Sequence, residues 1–207
     1  MSSISIIGTG NMARTIGALA VAGGNSVEVI GRDRSKAAEL AKALGSGATT
    51  AEFGAVPAGD IVIVALLYAN VVPVVAEYGA ALAGKVIVDI SNPFNDAADG
   101  LAIPEGTSIA QEVAKAAPAS AGVVKAFNTI FGVVLAQGRP LDVFIAGDDA
   151  RAKAGVAEFI ESLGLRPLDV GGLQMAHWLE GTGLVMMGLA SHGVGNFDFA
   201  LGATASA

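Results

Sequence analysis

Six short apolar runs set the rhythm of the chain: Ile4 to Gly8, Ser26 to Gly31, Ile61 to Leu66, Lys85 to Ile90, Gly122 to Phe127 and Leu141 to Ala146. They are β-branched and lack strict apolar–polar alternation, as strands buried on both faces do. Between them lie Ala-rich segments whose apolar residues recur at helical spacing, such as Ile16, Leu19 and Ala20, or Val156, Phe159, Ile160 and Leu163. The repeated strand–helix order predicts an α/β fold, a doubly wound parallel sheet with right-handed crossovers and helices on both faces. Pro167 to Val170 reads as an edge strand, because proline cannot donate to a ladder. The longest irregular connection starts at Asn92-Pro93, directly after the fourth strand, and runs on from Phe94 to Gly106. Loops at strand C-termini are where such sheets bind ligands.

Beyond Gly171-Gly172 the run Leu173 to Ala190 reads as a helix that is apolar nearly all round. Such a helix needs cover on more than one side, in its own domain, in a second subunit, or in both. The tail from Ser191 to Ala207 is rich in Gly and Ala, with Phe197 and Phe199, and carries no clear pattern.

Composition narrows the chemistry. The 207 residues include no cysteine, which excludes a disulfide-stapled scaffold, a cysteine-ligated metal or iron–sulfur site, and thiol catalysis. A formal charge of -7 argues against nucleic acid or an anionic membrane as the main partner. The charge is uneven, however: Arg14, Arg32, Arg34 and Lys36 face only Glu28 and Asp33 within the first 36 residues. An anion is therefore expected near the N-terminus. A mean hydropathy of +0.60 raises the question of a membrane span. The longest apolar stretch, Ile61 to Ala76, is broken by Asn70 and Pro73 and falls short of the ~20 residues a span needs. Met1-Ser2-Ser3 leads straight into a strand without the basic segment and cleavage site of a secretory signal, so cytoplasmic residence is the expectation.

Gly8-Thr9-Gly10-Asn11-Met12-Ala13 joins the first strand to a helix inside a βαβ unit that ends at Gly31. This G-x-G-x-x-A pattern suits a dinucleotide. Gly8 permits the tight turn, Gly10 lets a pyrophosphate approach the backbone, and Ala13 allows the helix to pack on the strand. The helix N-terminus then faces the anion. At the end of the second strand, where an NAD site places a carboxylate, stands Gly31, followed by Arg32, Asp33, Arg34, Ser35 and Lys36. Cations in place of a carboxylate suit a 2′-phosphate, and NADP is expected over NAD.

With these residues in hand, the chain resembles the NADPH-dependent deazaflavin (coenzyme F420) reductase family. The likeness runs from about Ile4 to about Ala190. It is carried by Ile7-Gly8-Thr9-Gly10-Asn11-Met12, Gly31-Arg32 with Lys36, Asp89-Ile90-Ser91-Asn92-Pro93, Val124-Lys125-Ala126-Phe127-Asn128-Thr129, Gly147-Asp148-Asp149 and Gly164-Leu165-Arg166-Pro167-Leu168-Asp169. The chain departs from the family pattern at Leu66-Leu67-Tyr68, where an aromatic preceded by proline is common, and at Gly171-Gly172, where Gly-Pro is frequent. The resemblance implies hydride transfer between NADP(H) and coenzyme F420. It implies that Thr9 to Met12 hold the pyrophosphate, Arg32 and Lys36 the 2′-phosphate, and that Asn128 and Thr129 lie near the nicotinamide. Residues 1–171 are then expected to form an NADP-binding Rossmann domain, and residues 172–207 a helical segment and tail packed at a homodimer interface.

Hydride exchange between two flat cofactors asks the protein mainly for position, and Ala65, Ser91 and Ala126 are small residues at predicted strand ends. The strand ends Leu66 to Tyr68, Ser91 to Pro93 and Asn128 to Ile130 are expected to converge over the nicotinamide. Reduction of a small carbonyl, imine, flavin or ferric substrate is the alternative, and a non-catalytic NADP(H) sensor the third reading. A carbonyl or imine reductase would need a proton donor, for which Tyr68, His177, His192 and Asp198 are available, with Tyr68, Asn128 and His177 the candidate catalytic residues. Tyr68 is read rather as covering the cofactor and His177 as a packed, hydrogen-bonded histidine. No metal site is expected; Asp148-Asp149 suits a helix cap.

Overall fold

The computed structural model describes residues 1–204. Eight strands form one sheet: β1 (Ser3–Ile7), β2 (Ser26–Ile30), β3 (Thr49–Ala51), β4 (Ile61–Val64), β5 (Val86–Asp89), β6 (Gly122–Lys125), β7 (Asp142–Gly147) and β8 (Arg166–Asp169). Their order across the sheet is β3-β2-β1-β4-β5-β6-β7-β8. The helices are α1 (Asn11–Ala22), α2 (Arg34–Leu44), α3 (Tyr68–Tyr78), α4 (Ile109–Ala116), α5 (Gly132–Leu135), α6 (Ala150–Ser162) and α7 (Ala176–Gly188). One face of the sheet packs on α1, α2 and α6 through Ile16, Leu40 and Phe159. The other packs on α3 and α4 through Val74 and Val113, joined by Leu173 and Ala176 from the C-terminal segment. Both faces are thus covered, which is why the strands read as unbroken apolar runs.

Three features differ from the sequence expectation or were not foreseen. β3 escapes the apolar pattern because it is only Thr49-Thr50-Ala51, with both threonines exposed, and it exists through pairing with Glu28 to Ile30 of β2. β7 runs antiparallel to β6, with Val124 opposite Gly147 and Lys125 opposite Ala146, while all other neighbours are parallel. The connection holds only the four-residue α5, about 6 Å long, and stays at the top of the sheet, so β7 starts there and runs down beside β6. The 13-residue α6 then makes a full return, and β8 lies parallel to β7 at the edge, as Pro167 requires. Third, the expected C-terminal helix is a short 3-10 turn, Leu173–Met175, followed by α7 and a wide turn, Leu189–Gly193.

α7 is not uniformly covered. Ala176, Leu179, Glu180, Gly183 and Met186 face the domain at helical spacing, whereas Trp178 and Val185, two turns apart, are 65% and 59% exposed. The tail folds back on α5 and the β7–β8 edge. Phe197 and Phe199 meet the Phe131 ring edge-on at 5.1 and 5.4 Å, and Asp142 accepts from Arg166 and from the Ala203 N–H. The last three residues of the expected C-terminal segment lie outside the described residues.

Candidate active site

The parallel strands end in register. Ile7 sits between Ile30 and Val64, Val64 beside Asp89, and Asp89 beside Lys125, so the loops after β1, β2, β4, β5 and β6 open at one edge. Gly8 takes a φ of 137°, and a Cβ there would collide with the Ala65 carbonyl oxygen, so the lack of one is what lets the turn pass over the end of β4. A Cβ on Gly10 would meet nothing within 4 Å. That open face stands at the N-terminus of α1, whose cap has no side-chain acceptor for the first N–H groups. A backbone cradle lacking its own acceptor is what a pyrophosphate requires. Ala13 is fully buried against the sheet, as the motif demands.

Two cavities flank this turn. The first, about 250 Å³, lies over the ends of β1 and β2 and is lined by Gly8, Thr9, Gly31, Arg32, Lys36 and Leu66, joined by Asp33, Phe53 and Asn70. Arg32 stands 3.6 Å from the Glu77 carboxylate and 5.1 Å above the Phe53 ring. Asp33, which could have met a ribose, is committed as the N-cap of α2, accepting from the Ser35 and Lys36 N–H groups. Lys36 Nζ lies 3.9 Å from its other oxygen. Arg34, expected among the phosphate cations, turns aside to pair with Glu52 and lines a separate groove over β3. Leu67 is 78% exposed, and Tyr68, the first residue of α3, packs on the core beside Val71; neither lines either of these two cavities. Phe53 gave no sequence signal, because it follows the short, unforeseen β3.

The second cavity, about 210 Å³, lies on the other side of the turn. Met12 contributes from α1, Asn92 and Phe94 from the loop after β5, Asn128 and Phe131 from the loop after β6, and Met186 from α7. No side chain in its lining is titratable. Phe127 holds a φ of 60° while almost fully buried, and this left-handed residue turns the chain out of β6 toward Asn128. Asn92 and Asn128 clasp each other: Asn92 Nδ2 donates to the Asn128 carbonyl at 2.7 Å, and Asn128 Nδ2 donates to Asn92 Oδ1 at 2.9 Å and to the Leu179 carbonyl at 2.9 Å. Asn128 Oδ1 and Thr129 Oγ1 are buried without a partner. The strand ends at Asn92 and Asn128 therefore converge as expected, while Leu66 goes to the first cavity. Pro93 is buried and its carbonyl accepts from the Ala102 N–H at 2.6 Å; Ser91 is buried beneath the cavity, bound to Asp89.

His177 is held by a contact of 2.7 Å between Nδ1 and the Thr107 carbonyl, and lines neither cavity. His192 is exposed. Asp198 accepts from Gln137 in the tail. Asp149 caps α6 through the Ala152 N–H, and Asp148 accepts from the Leu173 N–H at the start of the C-terminal segment.

Sequence reasoning passed over one feature, an ion cluster with no exposed side chain. Lys125 Nζ lies 2.8 Å from Asp89 Oδ2, 2.8 Å from Glu180 Oε1 and 2.6 Å from the Ser91 carbonyl. Glu180 also accepts from the Ile109 N–H at the start of α4. Burial holds the Glu180 carboxyl above its ordinary range, against the opposing pull of Lys125. The signal was present: Lys125, Asp89 and Glu180 each interrupt an otherwise apolar element, and a buried charge implies an opposite one.

Residues 3–93 match the family described as NADP oxidoreductase, coenzyme F420-dependent. The motif-based resemblance is to this family. A protein of Arthrobacter sp. FB24 described as an F420-dependent NADP reductase superposes with a TM-score of 0.84 at 26% identity, covering 98% of this chain and all of that one. A protein of Sinorhizobium meliloti superposes with a TM-score of 0.74 at 28% identity, covering 84% of this chain and 86% of that one. The metalloreductase STEAP3 of Rattus norvegicus is 33% identical over 184 residues, which are 86% of this chain and 35% of that protein. The chain thus spans about a third of the length of this relative. The fold is of the Rossmann type, and over residues 3–93 the chain is similar to the NADP-dependent oxidoreductases of that family. No helix among the described residues is long and apolar enough to cross a membrane.

Proposed function

We propose that the protein moves a hydride between NADP(H) and a second flat redox cofactor, coenzyme F420. The observation that carries this reading is the pair of cavities on opposite sides of the Gly8–Met12 turn, a cationic one reached by Thr9 and an apolar one reached by Met12. A dinucleotide laid across the turn would put its 2′-phosphate by Arg32 and Lys36, its pyrophosphate on the α1 N-terminus and its nicotinamide in the apolar cavity. NADP(H) supplies the hydride chemistry. The protein's part is to bind and orient: Asn92 and Asn128 set the polar edge of the second cavity, and Phe94, Phe131 and Met186 exclude water. The lining offers no acid or base, so the proton that completes reduction comes from solvent. This favours a flat ring acceptor over a carbonyl, whose oxygen needs a donor at the moment of transfer.

The likeness to a metalloreductase supports ferric reduction as a second reading. Purified protein with NADPH, offered F420, flavin, ferric chelates, small ketones and cyclic imines, separates these readings. Rapid, saturable NADPH oxidation by F420 alone is the expected result; oxidation only by ferric chelates replaces the first reading with the second, and NADPH binding without oxidation favours a sensor.

The reading includes a homodimer. Trp178 and Val185 form an exposed apolar stripe on α7, on the side of the helix away from Gly183 and Met186 that line the second cavity, of the kind an isologous contact covers. Sedimentation should show a dimer at micromolar concentration that Trp178→Glu dissociates, and a wild-type monomer would remove this part of the proposal.

A further inference from the structure

None of the three ions in the buried cluster lines either cavity, yet their position accounts for the orientation of a polar group that does. Asn128 Nδ2 spends its two hydrogens on Asn92 Oδ1 and the Leu179 carbonyl. Flipping the amide would set Oδ1 against two acceptors, so Nδ2 is held inward and Oδ1 is left as the free acceptor. Both acceptors hang from segments tied to one ammonium. Lys125 Nζ holds the Ser91 carbonyl, one residue before Asn92, and the Glu180 carboxylate, one residue after Leu179. Asp89 completes the node by binding Lys125 through one oxygen and the Ser91 N–H and hydroxyl through the other.

Burying three charges costs several kcal/mol per ion before pairing, and an apolar contact would attach α7 to the sheet at lower cost. We infer that Lys125 and Glu180 are positioning residues, which hold Asn128 Oδ1 as a fixed acceptor for an N–H donor of the ring bound in the second cavity. The primary amide of a nicotinamide is such a donor, and the inference rests on reading that cavity as the nicotinamide end. The fit of α7 is close as well: a Cβ on Gly183 would lie 2.9 Å from the Asn92 amide, so a shift of the helix would push directly on the pair.

The test is a double-mutant cycle on the full chain, read by affinity for NADPH and for 2′-phospho-ADP-ribose, which lacks the nicotinamide. Glu180→Leu leaves Lys125 and Asp89 as a balanced pair and removes the tie to α7. It should weaken NADPH about fivefold, the worth of one hydrogen bond, and change the fragment by less than about twofold. Glu180→Gln keeps an acceptor for Lys125 and should restore NADPH affinity. In an Asn128→Ala background, Glu180→Leu should have no further effect, because the group it positions is gone. Additive losses, or equal loss for NADPH and the fragment, would show a purely structural clamp and overturn the inference. Should Glu180→Leu not fold, Asn92→Ala removes the other acceptor and must show the same non-additivity. Failure of the wild type to bind either nucleotide would remove the underlying reading together with this one, whereas tight binding with additive losses removes this one alone.

Discussion

Replacing Arg32 by alanine probes the cationic cavity at its exposed rim. In the free protein the guanidinium lies 3.6 Å from Glu77 and its side chain is 63% exposed. A charged hydrogen bond to a 2′-phosphate is worth about 1.5–3 kcal/mol. Giving up the exposed Glu77 pair costs about 0.2–1 kcal/mol of that gain. The net of about 0.5–2.8 kcal/mol corresponds to a roughly 2- to 100-fold loss of NADPH affinity in Arg32→Ala. NADH has no 2′-phosphate and loses only the contact of an exposed cation with a ring, about 0.5 kcal/mol or about twofold. Glu77→Gln removes the competing carboxylate and should tighten NADPH by up to about fivefold while leaving NADH unchanged. Both variants are read by nucleotide fluorescence titration at two salt concentrations. The salt dependence of NADPH binding should shrink in Arg32→Ala, because an exposed phosphate contact is screened. Equal loss for the two nucleotides, or weaker NADPH binding in Glu77→Gln, would refute the placement of the 2′-phosphate.

Gly8→Ala should destabilise the fold by about 2–4 kcal/mol, since the new Cβ meets the Ala65 carbonyl and the backbone keeps a φ of 137°; a loss in urea unfolding below about 1 kcal/mol would mean that the turn can move. Glu180→Gln should stabilise the protein increasingly as pH rises above the ordinary glutamate range. A carboxyl whose pKa rises on folding favours the native state below its ordinary pKa and loses that contribution as pH climbs toward the raised value. The difference in Tm between variant and wild type should therefore be flat in acid and grow toward neutral pH; growth toward acid would contradict the burial argument. Pro93→Gly should lower turnover while affinity for 2′-phospho-ADP-ribose stays within about threefold, because the loop it stiffens carries Asn92 and Phe94 and makes no part of the cationic cavity. Lost affinity for the fragment with intact turnover at saturation would mean that this loop grips the adenosine half and that hydride transfer takes place elsewhere.

Local signals sufficed for most of the framework. Strands buried on both faces leave unbroken β-branched runs, and a tight turn under a helix N-terminus leaves glycines at fixed spacing. Seven of the strands and the Gly8–Ala13 turn could therefore be placed from residue order alone. The same holds for Arg32 and Lys36, which follow β2 directly and so had to reach the cavity above its end. What depended on partners distant in sequence was out of reach. β3 has too few residues to show a period and forms only against β2. The direction of β7 follows from a connection that stays at the top of the sheet, which no pattern within β7 records. Arg34 and Arg32 look alike in sequence, and only the position of Glu52 beside one and Phe53 beneath the other separates their roles. Lys125, Asp89 and Glu180 were each legible as a charge out of place, but their meeting required the adjacent strands β5 and β6 and the return of α7, 55 residues after Lys125. Periodicity is a property of neighbours along the chain and survives in the sequence. A charge cluster or a cavity wall is assembled across the sheet, where only tertiary packing decides which side chains meet.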